Sequence, residues 1–383
     1  MEMKASFVSF LQKKYPRLAV ETLQNTVADQ LLSPFQVKLS LKQIHHIQSE
    51  ISTYWKLRSW SEEKLTDQYA KFGLAKPSNY SVCMSYDFHI NAEGRPELIE
   101  INTNAAFLAL GLEMYEFLQL PVVPSGFNEG KLVNMFQQEA SLAGRQLKNL
   151  QITDDKPQEQ RLFIEFLIYK ELFTKHGIDC EITDSAMTPN ASGGSSIEKT
   201  AFEKLINADL IYNRNTDFYF ESNSSLREIF NKNQNLSPNC YEYFLLADKQ
   251  RLLDWNEQSD TEKPSSLLPV YDLGKADKDS IWQQRKNLFI KPKNSFGSKQ
   301  AYKGASISRK VFDEIFNKNF IAQQLSVPSE IDVNYQGQSQ KLKYDLRCFA
   351  YKDELQLVIA RLYQGQTTNL RTPGGGFAAV TVV

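Results

Sequence analysis

Residues 82–102 read VCMSYDFHINAEGRPELIEIN. Two runs rich in apolar and aromatic residues, 82–90 and 97–102, flank the segment NAEGRP at 91–96. Asn, Gly and Pro supply turn geometry while the flanking runs favour extended backbone, so the stretch predicts strand, turn, strand. Side chains alternate across a strand, which puts Glu100 and Asn102 on one face, with Asp87 on the preceding strand. Two carboxylates and an amide are hard oxygen donors that suit Mg2+, an ion that keeps part of its water and bridges to substrate phosphates. Polar residues satisfied by solvent at a strand end give the same pattern, and the hairpin alone weighs the two readings equally.

The other end of the chain carries the complementary charge. In KYDLRCFAY (343–351), Asp345 and Arg347 alternate onto one strand face, and Arg361 ends the following strand. Asn369, Arg371 and the run Gly374, Gly375, Gly376 come next. Guanidinium groups bind phosphate oxygens in pairs, so this set suits a tetrahedral or acyl phosphate better than a solvated hairpin. Two lysines extend the pattern. Lys291 ends the apolar strand LFIKPK (288–293), ahead of a small-residue turn containing Ser298, and Lys249 lies at the start of a helix in LADKQRLLDW. Taken singly, each also reads as a strand end or a snorkelling lysine.

Between these ends the pattern divides the chain into 1–80, a helical region; 81–125, the acidic strands; 126–235, a small α/β unit; and 236–383, an antiparallel α+β region. Within the third unit, strands are expected at 147–155, 178–184 and within 208–220, a helix at 158–176 and a loop at 188–198. Lys plus Arg number 44 against 45 Asp plus Glu, so no general attraction to nucleic acid or to an anionic membrane is expected. No apolar run has the length of a membrane span, and Cys83, Cys180, Cys240 and Cys348 form no CxxC pair. A soluble cytoplasmic protein acting on small molecules is the expectation, with a homodimer left open.

Together the pieces resemble the ATP-grasp superfamily. The stretch YDLRCFAYKDELQLVIARLYQGQTTNLRTPGGG is similar to the D-x-R…A-R…N-L…GG segment of bacterial glutathione synthetase and of the ribosomal-protein glutamate ligase. In the usual family order the D…E-x-N strands follow that segment. Here they stand near Asp87, and IEINTNAAF, IYNRNTDFY, LADKQRLLDW, FIKP and LRTPGGGFAA come after them in turn. That order resembles the circularly permuted branch, whose best-known members are the eukaryotic-type glutathione synthetases.

The resemblance implies a circularly permuted ATP-grasp fold of α+β and α/β parts, using ATP and Mg2+ to join a small-molecule carboxylate to an amine. It implies that Asp87, Glu100 and Asn102 hold magnesium, and that Lys249, Lys291 and Ser298 meet ATP phosphates. Gln324 and Leu325 would lie beside adenine, and Arg214 on the substrate side. Arg347, Arg361 and Asn369, with the turn Gly374–Gly376, would serve the phosphate and acyl-phosphate end. The chain departs from the glutathione pattern at Ser85, where an arginine is usual, at Ala105, Ala106 and Phe107, where serines follow, and at Ser295, where a glutamate binds magnesium. The nucleotide half of the pattern is therefore the better matched. The alternatives are an ATP-binding module without catalysis, and an enzyme that stops at phosphorylation.

Overall fold

The computed structural model describes residues 2–187, 196–293, 301–366, 368–369 and 371–383. Among these, a seven-stranded sheet forms the centre of a mixed α+β fold. It runs β1 (Val37–Leu39), β15 (Gly376–Val382), β14 (Glu354–Tyr363), β13 (Gln338–Tyr351), β2 (Met84–Ile90), β3 (Pro96–Asn102), and β12 (Ser329–Tyr335) also pairs with β13. The acidic hairpin β2–β3 thus docks edge-on against the C-terminal strands: Asp87 faces Arg347, and Asp345 faces Arg361 in register. Residues 260 positions apart in sequence become neighbours on one sheet.

Strand alternation sorts the two faces. Tyr86 and Phe88 of β2, Leu346, Cys348 and Ala350 of β13, and Val358 and Ala360 of β14 join one core with the long helix Leu41–Tyr69. The opposite parity, Phe349, Leu357, Ile359 and Phe377, packs against the helix Leu108–Phe117 in a second core. Asp87, Arg347 and Arg361 share that second parity, so the polar site continues the second core's face at one end of the sheet.

Two smaller sheets flank this one. β10 (Tyr302–Lys303), β9 (Leu288–Pro292), β11 (Phe320–Gln324) and β8 (Val270–Asp272) form an antiparallel sheet in that order. β5 (Asp179–Asp184), β4 (Asn149–Asp154), β6 (Leu210–Asn213) and β7 (Leu236–Ser237) form a parallel one, the first three at the strands expected within 147–155, 178–184 and 208–220. The anticipated loop at 188–198 lies mostly outside the described residues. The N-terminal region is not wholly helical: Val37–Leu39 is a strand paired with β15, and the long helix starts only at Leu41. Ser40 caps it, its Oγ accepting from Gln43 N–H while Gln43 Oε1 accepts from Ser40 N–H (2.8 Å). That reciprocal cap stops the helix from running back into the strand. Among the described residues, no helix is long and apolar enough to cross a membrane.

Glu139, fully buried on the helix Glu129–Leu142, ties the cores together. It accepts from Tyr80 N–H (2.8 Å), Ser237 Oγ (3.0 Å) and Tyr351 Oη (2.6 Å). Burial pushes its carboxyl up to about 7 despite those donors, from an ordinary 4.5. The native state therefore holds a proton that the unfolded chain releases, and the resulting stability is lost as pH rises from 4.5 through 7. Urea unfolding across this window should show a downward slope with pH, spanning up to roughly 3 kcal/mol, that Glu139→Gln flattens. An unchanged slope in the variant would contradict this role.

Candidate functional site

A cavity of about 570 Å3 opens between the central sheet and the small antiparallel sheet. Glu100 and Asn102 reach it from β3, Arg347 and Arg361 from β13 and β14, Lys291 from β9, and Lys249 from the start of the helix Gln250–Glu257. Gln324 and Leu325, at the end of β11, also line it. Strand pairing thus gathers residues from three distant regions of the chain into one wall.

Asp87 sits at the base of this wall with no exposed surface. Arg347 grips it with Nε (3.1 Å) and Nη2 (2.8 Å), and Arg361 adds Nη2 at 2.9 Å. Ser85 Oγ (3.0 Å) and Asn102 Nδ2 (3.2 Å) donate to the same carboxylate. Burial alone would raise its pKa, but the two guanidinium charges hold it down to about 2. Arg361 Nε is held in addition by Asp345 (2.6 Å). Both arginines are therefore oriented and partly neutralised before any ligand arrives.

This alters the part expected of Asp87. The structure does bring Asp87, Glu100 and Asn102 together, but the Asp87 oxygens are spent on two arginines. From β2, next to β13, Asp87 accepts from Arg347 of β13 and from Arg361 of β14 beyond it, so both of its oxygens already face a positive charge. Asn102 Nδ2 also donates to Glu100 (3.3 Å), which orients the amide oxygen as the remaining donor of the pair. Among the described residues no three His, Cys, Asp or Glu side chains form a metal cage. Glu100 and Asn102 give two hard oxygens, which fits magnesium held largely by phosphates and water.

Lys291 is buried, its Nζ donating to Ile99 O (2.8 Å) beside Glu100. Burial, with the Lys249 charge close by, pushes it down to about 7, against the pull of Glu100. His89, two residues beyond Asp87 on β2, lines the cavity as well. Its burial, aided by the Arg361 charge, takes the ring down to about 4 although a bond to Ser326 works the other way.

Several expected residues lie elsewhere. Arg214 is buried and clamps backbone: its Nη1 donates to Asn104 O and to Ala105 O (3.2 Å). With Glu165, which accepts from Phe107 N–H (2.8 Å), it holds the turn that follows Asn102 and does not line the cavity. The run Gly374–Gly376 is not on the wall either. Gly374 has φ +72 and packs on Tyr335 and Phe35, its carbonyl accepting from Ser33 Oγ (2.7 Å). A Cβ at Gly376 would strike the Gln30 carbonyl. The turn is packed closely by residues 30–35 and Tyr335, away from the cavity. Asn369 braces its own loop through Gln364 O (3.0 Å) and Arg371 N–H (3.0 Å), while the neighbouring Thr368 lines the cavity. Ser298, and Ser295 with it, lie outside the described residues. His89 was missed, although its alternation with Asp87 was a readable signal.

No protein-family model matches the chain, and no curated protein matches it in sequence. Among solved structures it is similar to an apo glutathione synthetase-like effector from Globodera pallida, with a TM-score of 0.57 at 10% identity, covering 100% of this chain and 96% of that one. A putative gamma-glutamylcysteine synthetase from Methylobacillus flagellatus KT overlays with a TM-score of 0.43 at 9% identity, over 88% of this chain and 87% of that one. The first likeness shows a related mixed α+β fold.

Removing one member of a buried ion network strands the others. Asp87→Asn should therefore destabilise the protein by about 3 kcal/mol, whereas half-buried Glu100→Ala should cost less than about 1 kcal/mol. Urea unfolding of both variants checks the contrast, and a neutral Asp87→Asn would remove the case for the anchor.

Proposed function

We propose that the chain is an ATP-dependent carboxylate–amine ligase of the circularly permuted ATP-grasp type, using Mg2+ and releasing ADP. The observation that carries the reading is the cavity wall. It joins an oxygen-donor pair, Glu100 and Asn102, to four basic side chains, Lys249, Lys291, Arg347 and Arg361, between the central sheet and the small antiparallel one. Docking of the N-terminal hairpin onto C-terminal strands, the arrangement a permuted order requires, supports it too.

In this reading Lys249 and Lys291 hold the nucleotide phosphates. Gln324 and Leu325 flank the base. Arg347 and Arg361 face the transferring phosphoryl group, already aimed by Asp87 and Asp345, so little reorganisation opposes the transfer. The substrate carboxylate attacks the γ-phosphate to give an acyl phosphate and ADP, and an amine then displaces phosphate to leave an amide. Magnesium, held by Glu100 and Asn102, would neutralise phosphate charge. Arg214 contributes as a clamp on residues 104–105 rather than as a direct contact. The acid and the amine are small molecules whose identity a screen must supply.

The second reading, an ATP-binding module without turnover, is favoured by one observation: Asp87 is fully engaged by arginines, which leaves one carboxylate, Glu100, for metal. Incubating the protein with ATP, Mg2+ and pooled amino acids, dipeptides and polyamines separates the readings. The ligase forms ADP together with a new amide mass; the module forms neither, and phosphorylated acceptor alone would point to a kinase.

Two further outcomes are expected. Glu100→Ala should abolish ADP formation while leaving the fold intact, and normal turnover in it would sink the metal assignment. Lys291→Ala should weaken ATP binding at least about tenfold by calorimetry, the loss of one charge-assisted contact. Because free Lys291 titrates at about 7, phosphates beside it should restore its proton. The binding heat above that pH should then vary with buffer ionisation enthalpy in the direction of proton uptake, and no such variation is expected in Lys291→Ala.

A further inference from the structure

The cavity's base-binding end has a polar group that no expectation covered. The backbone N–H groups there are committed. Gln324 N–H donates to Pro269 O (2.8 Å), and Leu325 N–H, the donor a hinge would offer a purine ring, goes to Asn287 O (2.8 Å). The Gln323 side chain is buried and donates to Leu98 O (3.1 Å). These N–H donors are engaged, and the side chains that line the cavity here are what remains to donate to or accept from a base edge beside the backbone carbonyls.

His89 is one of them, and a chain of hydrogen bonds sets its tautomer. Its Nδ1 lies 3.1 Å from Ser326 O, an atom that can only accept, so Nδ1 carries the hydrogen. Ser326 Oγ, 3.2 Å from the same nitrogen, gives its own hydrogen to Glu97 Oε2 (2.6 Å) and so presents a lone pair to the ring. Glu97 is held in turn by Asn91 Nδ2 (3.0 Å). Every bond in this relay has one direction, and in the neutral ring it leaves Nε2 as an acceptor. His89 lines the same cavity as Gln324, Leu325 and Val327.

We infer that His89 selects the nucleobase, its Nε2 accepting a hydrogen from an exocyclic amino group at the six-position of a purine. A six-oxo purine places a lone pair where that hydrogen would be, so it is disfavoured. The inference rests on the proposed nucleotide reading of the cavity and adds the residue that would tell an aminopurine from its analogues.

The test is a calorimetric cycle on the full chain with Mg2+, comparing ATP with purine riboside triphosphate, which lacks the six-amino group. Wild type should bind ATP about tenfold more tightly, the worth of one good hydrogen bond. His89→Leu should lose that preference, binding the two within about twofold. Equal binding by wild type, or a preference kept in His89→Leu, overturns the assignment of His89. The wild-type comparison needs no variant, so equal binding there overturns the assignment even if His89→Leu does not fold; His89→Gln, whose side-chain oxygen can accept the same hydrogen, should then keep part of the preference, and no preference in it where wild type has one would support the ring. If wild type binds ATP without preference, only the His89 inference falls; if it binds neither nucleotide at millimolar concentration, the nucleotide reading falls with it.

Discussion

One carboxylate holds the architecture of the site. Asp87 has no exposed surface, yet it carries charge because Arg347 and Arg361 reach it from two adjacent strands. A buried anion without such partners would neutralise itself or leave the core. The requirement is mutual: the arginines could not stand in this half-closed wall without Asp87 and Asp345. The same contacts are the polar weld between the N-terminal hairpin and the C-terminal strands. Sheet pairing brings the two ends of the chain together, and the ion network sets their register where a ligand would arrive.

From that weld the rest of the cavity follows. β3 lies beside β2, so Glu100 and Asn102 stand next to the arginines on the same face. The Lys291 ammonium comes from the other sheet and is pinned to Ile99 O, on the backbone beside Glu100. Arg214 and Glu165 hold the turn after Asn102 from behind. The wall therefore has an acidic edge and a cationic bed, both supported by hydrogen bonds that exist before any ligand binds. Preorganisation of this kind suits chemistry in which charge moves onto phosphate oxygens.

Much of this was legible in the sequence because strand periodicity is local. The alternation Ser85, Asp87, His89 against Tyr86, Phe88, Ile90 gives the faces of β2, and Asp345 with Arg347 gives those of β13. What lies opposite a residue is not local. Nothing in the spacing of Asp87 says that two arginines would consume its oxygens. Nothing around Arg214 says that it would be buried against backbone carbonyls. The glycines at 374–376 carry the same letters whether they admit a phosphate or the Gln30 carbonyl. The strand Val37–Leu39 lies within the region 1–80 read as helical, and the cap at Ser40 that starts the long helix after it shows in the sequence only as a single Ser–Gln pair.

The central claim is that the Glu100–Lys291–Arg347 wall receives nucleotide phosphates. The most direct measurement is an experimental structure of the chain with ADP and Mg2+. The account predicts diphosphate density between Lys249, Lys291 and the two arginines, a metal on Glu100 and Asn102, and the base beside Gln324 and Leu325. Nucleotide bound at another surface, or an empty cavity at saturating ADP, would contradict it.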